Sequence, residues 1–203
     1  MVRAGLTTDR VVRAAAELAD DIGFDAVTLS EVARRFGVRV ASLYSHVASL
    51  HDLRSRIAVL ALAEVAARAS DAVAGRSGKE ALVGLADVYR DYAGAHPGRY
   101  AAMQYRLDPE VAVASAGPAL ANLTRAVLRG YDIAEPDATH AVRLLGSVFH
   151  GYVSLEGSGG FAHSMPDSSE SWARSLDALD ALLRNWPTQA TTTTDSTTRW
   201  ESS

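Results

Sequence analysis

The sequence predicts an all-α protein, on three observations. Apolar residues return at helical spacing in one segment after another. Thr, Ser, Gly and Pro stand where such segments begin and end. No stretch alternates apolar and polar residues as a half-buried strand does, and no internal repeat is visible. With 203 residues, 48% of them hydrophobic, the chain can bury a sizeable core as one domain or two small ones.

The first helix is predicted over Thr8–Ile22, where Val11, Val12, Ala15, Leu18, Ala19 and Ile22 share a face. Thr7 or Thr8 caps it and Gly23 ends it. Thr28-Leu-Ser-Glu31 has the form of a capping box, in which the hydroxyl serves an early amide and Glu31 reaches back. The helix it opens stops at Gly37. Val38–Val47 is predicted as a second short helix. Ser49-Leu-His-Asp52 opens a long helix to about Ala74, roughly 35 Å at 1.5 Å per residue. After "GRSGK", helices are predicted over Glu80–Ala95 and Arg99–Arg106, with "HPG" at 96–98 as a turn. Further helices follow over Pro118–Tyr131, from Pro136 to about Glu156, and over Ser169–Trp186. The stretch 138–155 is apolar on both faces, as in a helix buried on more than one side. Residues 187–203 are polar and low in complexity, and disorder is expected there.

Formal net charge is −4, which argues against a wholly basic nucleic-acid binder. The charge is uneven: residues 1–54 carry seven arginines and seven acids, and the rest 13 basic and 17 acidic residues. Within the neutral part, Arg34, Arg35 and Arg39 cluster apart from Asp20, Asp21 and Asp25, which predicts a local positive patch. The absence of cysteine excludes disulfides and thiolate metal sites. His96, His140 and His163 show no metal-ligand spacing, and no metal or cofactor is expected. No apolar run reaches the length of a membrane span, and the N-terminus lacks a secretory pattern, so a cytoplasmic protein with no membrane partner is expected. No nucleophile, base and orienting acid are arranged for catalysis. Ser147, His150 and Glu156 share a helix but face different ways.

Two short helices joined at Gly37 have the helix-turn-helix arrangement, whose second helix enters the DNA major groove. Val32, Ala33, Phe36, Val38 and Leu43 would form its small core. Arg39, Val40, Ser42, Tyr44, Ser45 and His46 would then lie partly outward. The run "TTDRVVRAAAELADDIGFDAVTLSEVARRFGVRVASLYSHVASLHDL", residues 7–53, resembles the TetR family of bacterial repressors. Its specific pieces are G-F-x-x-V-T-L-x-E-V-A-R-R-F-G-V and L-Y-x-H-V. The stretch "RLLGSVFHGYVSLEGSGGF", 143–161, is similar to a TetR-type C-terminal domain with a His-Gly step in a late helix.

The resemblance implies a three-helix helix-turn-helix DNA-binding domain over 1–53 and a helical ligand-binding and dimerisation domain over 54–186. It implies a phosphate contact from Thr28, backbone contacts from Tyr44 and His46, and base-edge contacts from Arg39, Val40 and Ser42. These roles suit the chemistry, since Arg binds guanine bidentately and Ser or Val meets a base or a thymine methyl. The same residues also admit structural readings, with Thr28 as a helix cap and Tyr44 packed on the third helix. Family members often carry a Lys near the start of the fourth helix. Here the stretch is Ala48-Ser49-Leu50-His51, so a phosphate contact is missing or replaced by helix-start amides.

The implied partners are a double-stranded operator, a second copy of the chain and a small inducer. Candidate residues for the inducer site are Tyr89, Tyr92, Tyr100, Met103, Tyr105, Leu123, Val127, Phe149, His150 and Tyr152, aromatics with polar tips that suit an apolar organic molecule. Trp172, Leu176, Leu179, Leu183 and Trp186 form a narrow stripe that reads as a dimer seam, with helix 138–155 beside it in a four-helix bundle. A helical ligand-binding adaptor without DNA binding is the alternative.

Overall fold

The computed structural model describes residues 6–187, and helices are its only regular structure there. The polar tail expected from 187 onward lies, past its first residue, outside the described residues.

Helix α1 runs Thr8–Ile22, with Thr7 accepting from the Arg10 amide at 3.3 Å and Gly23 closing it at φ 89°. A 3-10 turn, Phe24–Ala26, leads to α2, Leu29–Phe36. Thr28 Oγ1 accepts the Glu31 amide at 3.2 Å, and Gly37 ends α2 in the left-handed region at φ 64°. The expected return arm of the capping box is not made. The Glu31 carboxylate turns to Arg34 Nε at 3.1 Å instead.

The segment expected as a second short helix is one 3-10 turn, Val40–Ser42, followed by turns to His46. Its backbone bonds are mostly i to i−3, such as Ser42 to Arg39 and His46 to Leu43, with one i−4 bond from Val47 to Leu43. Arg39 stands at its start in extended conformation with no side-chain cap. Ser45 Oγ donates to the Ser42 carbonyl at 2.9 Å, a local bond that competes with helical ones. Val38 was expected in the small core and is exposed, whereas Val32, Ala33, Leu43 and Val47 are buried.

Helix α3, Leu50–Val73, is capped reciprocally: Ser49 Oγ takes the Asp52 amide at 3.1 Å and Asp52 takes the Ala48 amide at 2.8 Å. Its first half places Leu53, Ile57 and Ala58 in one core with α1 and α2. Its second half places Ala61, Val65 and Ala69 in another. Full burial of an Ile or Leu such as Ile57 or Leu53 contributes about 1.5–3 kcal/mol. One helix is therefore common to the head and the body.

The body comprises α4 (Gly78–Ala95), α5 (Pro97–Ala102), α6 (Pro109–Ala114), α7 (Gly117–Arg129), α8 (Asp137–Gly157) and α9 (Ser168–Arg184). Helix α5 starts two residues before the expected Arg99, because Pro97 takes the first helical position, and it ends at Ala102 rather than Arg106. Gly98 sits where α5 crosses α1: a Cβ there would lie 1.9 Å from the Ala19 carbonyl oxygen. Beside that crossing, Asp20 of α1 accepts the Arg99 amide at 2.8 Å and pairs with Arg99 Nε at 3.0 Å. Arg99 continues to Glu64 of α3 at 3.3 Å, and Glu64 accepts the Tyr92 hydroxyl at 2.7 Å. The head is thus bolted to the body by a charged network as well as by α3.

Helix α9 corrects the expected dimer seam. Trp172, Leu176, Leu179 and Leu183 turn inward and are buried in the chain's own core, and Trp172 Nε1 donates to Asp87 at 2.8 Å. The spacing signalled burial, and the burying surface is this chain's. Helix α8 has the expected two faces: Ala141, Leu145 and Phe149 are buried, Leu144 and Val148 partly covered, and Leu155 exposed.

Candidate functional site

Two features offer binding chemistry. The first is the surface of the head around residues 28 and 39–46. Leu43 and Val47, both fully buried, pin the segment to the core, and Thr8 Oγ1 donates to the His46 carbonyl at 3.3 Å. Arg39 and Ser42 are then exposed, and Tyr44 is 56% exposed. His46 is half-buried, and Val40 is half-buried against the head's core. Thr28 is exposed with its hydroxyl engaged as the α2 cap.

The expected arginine cluster is mostly committed elsewhere. Arg35 bonds Asp21 at 2.9 Å and Glu17 at 3.0 Å, and Arg34 holds Glu31. Arg39 has no partner among the described residues and is the cation the segment keeps available. At the start of α3, Asp52 uses the Ala48 amide and pairs with Arg56 at 2.8 Å. An Asp52–Arg56 ion pair, not a free cation, therefore stands beside the place where the resemblance would put a phosphate-binding lysine.

The second feature is a cavity of about 240 Å³ in the body, between α3, α4, α7 and α8. Of the expected ligand residues, Tyr89, Met103, Phe149 and His150 line it. Tyr92, Tyr105 and Leu123 do not. Tyr92 is fully buried in the Glu64 network, and burial, with that carboxylate second, pushes its phenol up. Tyr105 packs edge-on to Phe24 of the head at 5.5 Å, and its hydroxyl meets His51 Nδ1 at 2.9 Å. Leu123 packs against the body's core away from the cavity. Tyr152 packs on Trp172 at 4.8 Å, and Val127 is a core residue. Leu62, Gln104, Thr124 and Gly146 also line the cavity. Nothing in their spacing distinguishes them from ordinary helix residues, so only the fold reveals them. A larger cleft of about 530 Å³ lies between α1 and α3 beneath Val111, with acids and arginines from both helices on its rim.

His150 is the polar centre of the cavity. Its Nδ1 lies 2.6 Å from the Tyr100 hydroxyl and 3.0 Å from Gln104 Nε2, and the Tyr89 ring stands edge-on at 5.4 Å. Burial pushes its pKa below the ordinary value, favouring the neutral ring. In the unfolded chain the same ring takes a proton near pH 6.5. The unfolded state therefore binds the proton first as pH falls, and stability declines below about pH 6.5. A pH series of urea midpoints is expected to show a shallower decline in His150→Gln than in the parent chain.

Among the described residues no three of His, Asp and Glu converge to hold a metal ion, and no helix is long and apolar enough to cross a membrane.

Comparison with known proteins adds to this geometry. Residues 11–53 match the family described as bacterial regulatory proteins, tetR family, and residues 82–179 match the tetracyclin repressor-like C-terminal domain. The chain is 32% identical over 180 residues to the uncharacterized HTH-type transcriptional regulator YobS of Bacillus subtilis, covering 89% of this chain and 88% of that one. It is 34% identical over 160 residues to the uncharacterized HTH-type transcriptional regulator Rv0681 of Mycobacterium tuberculosis, covering 77% and 72% of the two chains. The fold is shared with the TetR family protein ActR of Streptomyces coelicolor in complex with actinorhodin, at TM-score 0.65 and 23% identity over 89% of this chain and 97% of that one. Its relatives are transcriptional regulators, and the two family matches fall on the head and the body respectively. The chain belongs to the TetR family and is a transcriptional regulator with a helix-turn-helix DNA-binding domain at its N-terminal end.

Proposed function

We propose that the protein is a cytoplasmic repressor that binds a near-palindromic operator as a homodimer and is released by a small molecule held in the body cavity. One observation carries the reading: α3 belongs to both cores. Leu53 and Ile57 anchor the head, and Leu62 lines the cavity. Leu53 and Leu62 are separated by roughly 14 Å of continuous helix. A ligand that shifts the cavity end of α3 moves the head with it. Ligand and DNA then oppose each other reciprocally, with a coupling of typically about 1–3 kcal/mol. The complex of ActR with actinorhodin, a relative in fold, supports a ligand role for such a body.

On this reading Arg39, Val40 and Ser42 meet base edges, while Thr28, Tyr44 and His46 meet the phosphate backbone. Twin copies pair through the outer faces of α8 and α9. On α8, Leu144, Val148, Gly151 and Leu155 follow the four-three-four spacing of a packing seam. Leu155 is 53% and Leu182 of α9 is 41% exposed, apolar surface that a second copy would cover.

A mobility-shift assay on the DNA upstream of the chain's own gene tests the reading. Sequence-specific binding by a dimer is expected. Failure to bind any operator-length duplex specifically would favour the adaptor without DNA binding. Ala48→Lys restores a cation at the start of α3 without touching the Ala48 amide bond to Asp52. The expected result is tighter binding at low salt and a log K against log[salt] slope steeper by about 0.9 per half-site.

A further inference from the structure

We propose that the cavity takes an uncharged, ring-sized molecule that presents an acceptor oxygen to His150 and Tyr89. The proposal rests on the cavity being the effector site and adds the chemistry of the effector. Tyr100 Oη and Gln104 Nε2 both approach His150 Nδ1, at 2.6 and 3.0 Å. With Tyr100 Oη donating to the single lone pair of Nδ1, the neutral ring carries its proton on Nε2. That Nε2–H lies 3.3 Å from Gln104 Nε2, itself a donor. Close to both ring nitrogens at once, the Gln104 amide stands over the ring rather than in line with the Nε2–H, which has no acceptor among the described residues. The Tyr89 hydroxyl, on the same cavity wall, also has no partner among the described residues. Thr124 Oγ1 is the lining hydroxyl whose proton is spent, on the Leu120 carbonyl at 3.0 Å.

The wall thus presents two donors, the His150 Nε2–H and the Tyr89 hydroxyl, without a protein acceptor among the described residues, and an apolar occupant that displaces water from them leaves both unpaired. A carbonyl oxygen on the ligand supplies the acceptor. The lining contains no charged side chain, so a carboxylate would enter without a counter-ion. The volume of about 240 Å³ corresponds to roughly eight waters at about 30 Å³ each, room for a substituted single ring. Tyr89, Phe149 and Met103 supply the apolar and aromatic faces such a ring packs on.

The test titrates the full-length protein with acetophenone, ethylbenzene and benzoate, read by ligand-observed NMR and by Tm. Acetophenone is expected to bind about tenfold more tightly than ethylbenzene, the gain from hydrogen bonds to otherwise unpaired donors, and benzoate not to bind measurably. His150→Phe should reduce the ketone's advantage to under about threefold. Gly146→Leu fills the cavity from a helix position where a Cβ meets nothing within 4 Å, and should abolish binding of all the probes while the fold remains. Equal binding of ketone and hydrocarbon, preference for benzoate, an unchanged ratio in His150→Phe, or no binding by any probe would each overturn the proposal. Operator affinity measured on the same samples separates the two levels. Intact operator binding confines a failure to the ligand chemistry, and its absence refutes the repressor reading itself.

Discussion

Gly98→Ala is expected to lower stability by at least about 3 kcal/mol, beyond the usual range for one added methyl group. The sign is the informative part. Gly98 lies inside a helix without left-handed backbone, where alanine ordinarily stabilises by about 0.5–1 kcal/mol. Here the added Cβ would fall 1.9 Å from the Ala19 carbonyl oxygen and 2.5 Å from the Asp20 amide nitrogen. Both are backbone atoms of α1, so no side chain can swing aside. Helix α5 must lift, and the hydrogen bond from the Arg99 amide to Asp20 and the ion pair beside it are stretched with it. At roughly 2–4 °C per kcal/mol for a chain of this size, Tm should fall by about 6–12 °C. Gly94→Ala is the control: a Cβ there meets nothing within 4 Å, and a small stabilisation of about 0.5 kcal/mol is expected. Urea midpoints of both variants check the pair.

Arg39→Ala is expected to weaken specific DNA binding by about 1–3 kcal/mol per half-site, the worth of one bidentate contact to guanine. Across two half-sites that is roughly 2–6 kcal/mol, a loss of at least about thirtyfold. Thermal stability should not move, because Arg39 is exposed and unpaired among the described residues. Non-specific binding should fall far less. Arg35→Ala gives the opposite pattern: its guanidinium is held by Asp21 and Glu17, so it anchors α2 to α1 and contributes little sequence discrimination. Fluorescence anisotropy with operator and scrambled duplexes, each at two salt concentrations, separates the two behaviours.

Helix α1 and the ends of α2 were legible because their signals are local. Thr7, Thr28, Gly23 and Gly37 act within one turn of where they stand. The segment 38–47 misled for a related reason. Its apolar residues suit a helix, but nothing caps its start, and Ser45 spends its hydroxyl on a turn bond. The stripe from Trp172 to Leu183 was legible as a packing face, and only the partner was misread, because periodicity shows burial and not who does the burying. Gly98 reads as the last residue of an "HPG" turn, and its contact with Ala19 depends on how two distant helices cross. Tyr105 read as a cavity aromatic beside Met103, yet the chain leaves the cavity wall within one residue and places the ring on Phe24. Gln104 and Thr124 carry no pattern at all, and their place at the cavity follows from tertiary packing alone.

On the proposed function, the segment around Ser42 enters successive major grooves from paired chains. Methylation interference on the bound operator reads this directly, because N7-methylguanine carries its methyl group in the major groove, where Arg39 would bond. Two symmetric clusters of interfering guanines are expected, separated by about one helical turn of 10–10.5 base pairs or somewhat more. A single cluster, or interference only from minor-groove adenine N3, would contradict the proposed function.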